Sequence, residues 1–358
     1  MEKPIRPLLR RIHLWITLAV GLPVAMISAT GLPISYWYES DALFSPGYYR
    51  GQQSSATRAS FEQLAAGARS VPGVASVDSL YLLPRFHTAQ ASVHLGDGRS
   101  REVSLDLASG KVLGVRDLDR TAMSWIYDFH TRLLLDRAGA GNGGKLCIRI
   151  FAACLLALVL TGMWLWWPTR LSWSLFSPAV RRRTLWRDLH LKLGIYVLPV
   201  LAIVGSSAFL LSIETTRGIG ARNTLARLPD LAYTSSPSVL NASLDTLAER
   251  GRLRSTAFHV AGVFGIDGAA PIAVLSSDAR EEEDYWVSVD RGTGLPLQVS
   301  SSNPLAADEN AGFLIGLHQG RHWGTWGQRI FAVASCVPLV LYLSGLIMWI
   351  RRTYRGAR

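Results

Sequence analysis

Four long apolar runs mark the chain, at 12–38, 146–167, 189–213 and 330–350. A helix needs about 20 apolar residues to cross ~30 Å of hydrocarbon, so each run predicts a transmembrane helix. The pattern changes in the two long segments between them, 39–125 and 214–312. There, 61–69 and 244–249 carry helical spacing, while 77–83, 91–95 and 285–289 read as strands. Each segment has the size of a small domain and is expected to be α+β.

The chain also repeats. Val103-Ser-Leu-Asp-Leu-Ala-Ser-Gly-Lys-Val-Leu-Gly-Val115 matches Val287-Ser-Val-Asp-Arg-Gly-Thr-Gly-Leu-Pro-Leu-Gln-Val299, a strand, a turn carrying Asp and Gly, and a second strand. Arg149-Ile-Phe-Ala152 recurs as Arg329-Ile-Phe-Ala332, and Leu160-Thr-Gly-Met-Trp-Leu-Trp166 resembles Leu343-Ser-Gly-Leu-Ile-Met-Trp349. Each half therefore reads as helix, external domain, helix in the same orientation. Such parallel repeats are expected to pack about a pseudo-two-fold axis along the membrane normal.

A net charge of +11 would suggest nucleic acid if it were spread over a surface. It is not: four Lys/Arg precede the first run (3, 6, 10, 11), six lie at 170, 181–183, 187 and 192, and four follow the last run (351, 352, 355, 358), opposed there only by Glu2 and Asp188. This positive-inside pattern places both termini and the 168–188 loop in the cytoplasm of a bacterial inner membrane and excludes a nucleic-acid partner. The first run, 27 residues long with no small-x-small site before Tyr36, reads as an uncleaved anchor. The expected order is a cytoplasmic N-terminus and helix (1–38), periplasmic domain (39–125), external segment and helix (126–167), cytoplasmic loop (168–188), helix (189–213), periplasmic domain (214–312), external segment and helix (313–350), and cytoplasmic tail (351–358). Cys147, Cys154 and Cys336 lie in or beside spans and form neither a disulfide framework nor a C-x-x-C-H haem attachment site.

The eight histidines separate on this topology. His13 and His190 share the frame [Ile/Leu]-His-Leu at the cytoplasmic starts of the first and third helices, offset by 190 − 13 = 177. His130 and His318 lie in short segments before the second and fourth helices, offset by 318 − 130 = 188. One histidine from each half thus meets at each face. Two neutral imidazoles from symmetry-related helices are what the two axial positions of a b-type haem require, so two haems b are expected, ligated by His13 with His190 and by His130 with His318. His322, four residues after His318, would share its face on a helix and stands as the alternative external ligand. Arg11 and Arg187 inside, and Arg132 and Arg321 outside, are placed to pair with haem propionates. His87, His94 and His259 read as surface residues.

Together these residues resemble the PepSY-associated transmembrane family, which includes siderophore-iron reductases of Gram-negative bacteria. The likeness rests on Arg11-Ile-His13, Asp188-Leu-His190, Leu317-His-Gln-Gly-Arg321 and the strand-Asp-x-x-[Ser/Thr]-Gly-strand units, and it spans nearly the whole chain. It implies an α-helical membrane protein of four spans with two small PepSY-like domains, two haems b, and periplasmic reduction of ferric siderophore to release Fe(II). Some relatives carry a cytoplasmic flavin reductase domain. The chain ends at Arg358 just after the last run, so a separate flavin reductase or a membrane quinol is the expected donor.

One electron loosens iron held in a hard oxygen chelate, because Fe(II) is the softer partner. That chemistry needs no nucleophile, and no Ser-His-Asp, His-Glu-x-x-His or phosphate-loop signature occurs. A metal or siderophore transporter using the same histidines is the main rival, though no acidic residue in the span interiors continues a path. A membrane-anchored periplasmic binding or protease-inhibiting module would leave the histidine pairs unexplained.

Overall fold

A computed structural model of the protein describes residues 5–52, 58–167, 184–217, 243–252, 258–268, 271–278, 284–300 and 309–355. Most of the 168–188 loop and the end of the 351–358 tail lie outside these residues. In chain order the elements are α1 (Ile5–Ser35), α2 (Trp37–Phe44), α3 (Phe61–Arg69), β1 (Val74–Leu83), β2 (Thr88–Leu95), β3 (Ser100–Asp106), β4 (Val112–Arg116), α4 (Ala122–Arg132), α5 (Gly143–Trp166) and α6 (Leu185–Arg217). There follow α7 (Leu244–Gly251), β5 (Phe258–Phe264), β6 (Ile272–Asp278), β7 (Asp284–Val289), β8 (Pro296–Ser300), α8 (Glu309–Gln319), α9 (Gly324–Ala334) and α10 (Val337–Arg355). They form two compact units: Met1–Trp37 with Trp125–Ile219 and Leu314–Arg358, and Tyr38–Ser124 with Gly220–Phe313.

The first unit is helical. Four stretches, Ile5–Ser35, Gly143–Trp166, Leu185–Ile213 and Arg321–Tyr354, are long and apolar enough to cross a membrane, and they cover the four apolar runs except at 36–38 and 167. Helix α1 packs on α5 and α10, and α6 on α5 and α10. Small residues allow the approach: a Cβ at Gly21 would come within 2.7 Å of Tyr342, and one at Gly205 within 3.0 Å of Leu156. Large apolar side chains such as Trp15, Leu160, Trp164 and Val333 stay exposed on these helices, as lipid-facing residues do. The fourth run is broken. Pro338 has no N–H and crowds the preceding turn, so α9 ends at Ala334 and α10 restarts at Val337.

The second unit is built on one eight-stranded antiparallel sheet in the order β4-β3-β2-β1-β5-β6-β7-β8. Two separate small domains were expected; instead the two segments share this sheet, because β1, which would be a bare edge, pairs with β5. Leu80 faces Val263 at that junction, an offset of 263 − 80 = 183 that equals 244 − 61 for the starts of α7 and α3. The irregularities repeat too: β1 shifts register between Val77 and Ser79, and β5 between Val260 and Gly262. Leu64 and Ala68 of α3 and Leu247 and Ala248 of α7 pack with Val77, Leu80, Val103, Val263, Val274 and Val289 in a single core.

Local rules explain the pieces. Ser60 and Gln63 close a reciprocal capping box on α3. Asp245 accepts from the Phe61 and Glu62 N–H groups (2.7 and 3.1 Å), while Glu62 accepts from Leu244 N–H (3.4 Å), so the two helices cap each other. The repeated Asp turns are self-bonded. Asp106 accepts from Ala108, Ser109 and the Ser109 hydroxyl, and Asp290 from the Thr293 N–H (2.7 Å) and hydroxyl (2.8 Å). Gly110 and Gly294 follow at φ +70° and +65°, where glycine is favoured.

Candidate functional site: two histidine pairs in the helical unit

His13, on the first turns of α1, and His190, on the first turns of α6, place their ring centroids 6.4 Å apart with planes at 81°. His130, on α4, and His318, on α8, are 6.2 Å apart at 72°. These are the four repeat-equivalent histidines, paired one from each half. The pairs lie far apart. His130 bonds Thr30, and His318 bonds Ser207; Thr30 is 17 residues along α1 from His13, and Ser207 is 17 along α6 from His190, about 26 Å of helix at 1.5 Å per residue.

The protonation of each ring follows from its partners. His190 Nδ1 lies 3.0 Å from the Leu341 carbonyl and 3.1 Å from the Ser344 hydroxyl; His130 Nδ1 lies 2.9 Å from the Ile27 carbonyl and 2.9 Å from the Thr30 hydroxyl. A carbonyl only accepts, so both Nδ1 atoms carry the proton. His13 Nδ1 meets the Thr161 hydroxyl at 2.8 Å, and His318 Nδ1 meets the Ser207 hydroxyl at 3.1 Å. Those hydroxyls already donate to Ala157 (2.7 Å) and Ile203 (2.7 Å) carbonyls on their own helices, so their oxygens accept from Nδ1–H. With Nδ1 protonated, Nε2 is the ring nitrogen that keeps its lone pair in all four histidines.

Two imidazole nitrogens can hold a metal only if something else completes its shell. Among the described residues no group of three or more His, Cys, Asp or Glu gathers, so a bare zinc-like ion would be left short of donors. A planar metal macrocycle brings its own four equatorial nitrogens and asks for two axial ones. An imidazole–metal bond of about 2 Å, plus about 1.1 Å from nitrogen to ring centre, puts two axial rings about 6 Å apart, which the pairs match. Glycine opens the space beside the rings. A Cβ at Gly162 would stand 3.5 Å from His13 Cε1, and one at Gly345 3.3 Å from His190 Cε1. Around His13 and His190 lies a cavity of about 390 Å³ with apolar walls that include Leu14, Val24, Leu155 and Leu198.

The model of the PepSY-associated TM region matches residues 10–352. The chain belongs to this family. No curated protein matches it at a significant level.

Being a PepSY-associated transmembrane protein fits the four spans and gives a multi-pass membrane protein. Of the basic residues near the first pair, Arg10 and Arg352 line its cavity, and Arg11 and Arg187 do not. A helical residue at 10 lies on the same side as 13, while 11 turns away. Arg132 is ion-paired with Asp128 (3.9 Å) and Asp136 (3.2 Å), so its charge is already met by carboxylates. Arg321 is exposed in the short turn Arg321–Trp323.

That turn also separates the two rival ligands. Gly320 at φ +75° follows the end of α8 at Gln319, one residue past His318, so His322 does not continue its face. His322 instead packs on Gly316, where a Cβ would meet its ring at 3.1 Å. In the sheet unit, His87 caps a turn at φ 55°, His94 contacts Ser100 at 3.0 Å, and His259 sits on β5. Thr30, Thr161, Ser207 and Ser344 escaped the sequence reading, although Leu160-Thr-Gly and Leu343-Ser-Gly were visible as a repeat and Thr30 and Ser207 share the 177-residue offset of His13 and His190.

Proposed function

We propose that the protein is a haem-dependent oxidoreductase that carries electrons across the bacterial inner membrane to reduce ferric siderophore in the periplasm. The observation that carries this reading is the two matched histidine pairs, with ring centroids 6.4 and 6.2 Å apart and every Nδ1 already hydrogen-bonded. In it, His13 with His190 and His130 with His318 hold two haems b, which would supply one-electron Fe(III)/Fe(II) chemistry. The apolar walls exclude water from the first site, and Arg10 and Arg352 are its propionate partners. The Lys/Arg bias supports a cytoplasmic side for the starts of α1 and α6, and hence for the first pair, where in this reading a flavin reductase or membrane quinol donates. The second pair then serves the periplasmic side. The matching offsets of helices, bulges and histidines support two pseudo-symmetric halves in parallel orientation.

Purified protein is expected to be red, with a bis-histidine b-type spectrum and two haems per chain. The deciding test is stopped-flow mixing of dithionite-reduced protein with a ferric hydroxamate, followed at the haem absorption band. Rapid re-oxidation is expected, and a rate no greater than with the redox-inert gallium analogue would sink the reductase assignment.

A further inference from the structure

Each histidine is held by the same device, and nothing in the proposed electron path yet uses it. The Nδ1–H points at a hydroxyl on a neighbouring helix, and that hydroxyl folds back on a carbonyl three or four residues earlier in its own helix. Thr161 serves His13, Thr30 serves His130, Ser344 serves His190 and Ser207 serves His318. The back-bonds run to Ala157, Ile27, Leu341 and Ile203. A hydroxyl in an apolar helix does not need a second partner, since the back-bond alone satisfies it. Finding one against every ring of the two pairs points to the rings.

We propose that Thr30, Thr161, Ser207 and Ser344 are positioning residues that fix the Nδ1–H tautomer of the four histidines and hold down the potential of any haem iron the Nε2 atoms bind. This rests on the haem-ligation reading above. The physical reason is that a hydrogen bond accepted from Nδ1–H pushes electron density through the imidazole to Nε2. A more basic ligand favours Fe(III) over Fe(II), which makes the reduced site a better donor.

The four locks are not equal. His190 and His130 each have a carbonyl as well, Leu341 and Ile27, and His318 has the Val204 carbonyl beside Ser207. For His13, Thr161 is the partner the geometry offers. Removing one hydroxyl should therefore matter most at Thr161. The Ser344 hydroxyl, at 3.1 Å, adds to a carbonyl that remains after its loss.

The test is spectroelectrochemical titration of the full-length protein in detergent, comparing Thr161→Val, Thr161→Ser and Ser344→Ala. A wild-type protein without haem would sink the ligation reading itself, before any variant is made. With both haems present, Thr161→Val should shift the Fe(III)/Fe(II) equilibrium of the haem held by His13 and His190 toward Fe(II) by about tenfold, roughly 59 mV for one electron. Ser344→Ala should move the same haem less, the second haem should stay put, and Thr161→Ser should restore the wild-type potential. Loss of this haem in Thr161→Val but not in Thr161→Ser supports the lock as well. Unchanged potential in Thr161→Val with both haems bound, or equal loss in Val and Ser variants, would overturn it.

Discussion

The helical unit and the sheet unit repeat in different currencies. In the bundle, what recurs is chemistry: a histidine and a hydroxyl residue, polar side chains set among apolar turns where each polar group has a cost. In the sheet, what recurs is backbone geometry. The same bulge appears at Val77/Ser79 and Val260/Gly262, the same self-bonded Asp turn at Asp106 and Asp290, and the same helix start at Phe61 and Leu244, with core side chains partly kept, as at Leu64/Leu247 and Val77/Val260, and partly changed, as at Phe61/Leu244 and Leu80/Val263. A repeat kept in side chains marks a site that both halves must build together. A repeat kept in turns and bulges marks a way of folding. The sheet unit also holds a buried charged cluster: Asp41 is fully buried with Tyr49 (2.6 Å) and Arg116 (2.5 Å), and Arg116 also meets Glu102 at 2.7 Å and covers the Tyr48 ring at 3.9 Å.

The sharpest way to break this contrast is at the histidines. His13→Ala and His190→Ala should each abolish one and the same haem and leave the other, halving the pyridine haemochrome content. His318→Ala should remove the second haem, and His322→Ala should remove neither, since His322 lies past the Gly320 stop. Loss of different haems in His13→Ala and His190→Ala would overturn the pairing. None of these changes should alter hydrogen exchange of the sheet amides.

Arg116→Ala is the converse experiment. It leaves the Asp41 and Glu102 carboxylates buried without their cation, a loss of about 3–5 kcal/mol in comparable sites. Hydrogen-exchange mass spectrometry should show β3 and β4 opening far more readily, with the haem spectrum intact. Protection unchanged from wild type would mean that the cluster contributes little.

How far these features could be read in advance follows from the range of the interactions. The spans were legible because each needs only a local run of apolar residues. Helix 61–69 was legible to the residue because Ser60 and Gln63 announce its start. The histidine pairing was legible because the repeat stands in for missing three-dimensional contacts. The single sheet was not, since Leu80 meeting Val263 is a contact across 183 residues with no local signal. Helix α2 was hidden behind the end of the first run, and the hydroxyl locks were hidden because Thr and Ser in apolar helices usually bond their own backbone. Arg10 lines the cavity of the first pair because helical phase puts the residue three before His13 on its side.

A smaller effect tests whether the sheet's repeat is a matter of backbone alone. Gly110→Ala places a Cβ at φ +70° and 3.2 Å from the Gln63 carbonyl, and Gly294→Ala places one at φ +65°. The strained conformation costs about 1–2 kcal/mol at either site, so both variants should lower the thermal midpoint. A midpoint unchanged in either variant would show that the turn there does not depend on its glycine.

The least effect is expected from the Asp turn itself, and its sign is fixed by the hydrogen bonds. The Thr293 N–H and then its hydroxyl hold the Asp290 carboxyl below the usual carboxylate range. A folded-state value below the unfolded one of about 3.9 means that the stabilisation is present above that pH and is lost as the pH falls through the folded-state value. Asp290 is partly exposed, so solvent screening keeps the contribution under ~1 kcal/mol. Acidification from pH 6 to pH 3 should therefore loosen the β7–β8 hairpin slightly in the wild type. Asp290→Asn keeps an oxygen acceptor for the Thr293 N–H but has no proton to gain, so its hairpin should be a little weaker at pH 6 and should change less with acid. Amide exchange in β7 and β8, with rates corrected for the intrinsic pH dependence, is the measurement. A hairpin in Asp290→Asn that loosens with acid as much as the wild type would show that the turn's carboxylate carries none of the pH dependence and that the repeated Asp serves only as an acceptor, which would place the sheet's repeat still more firmly in its backbone.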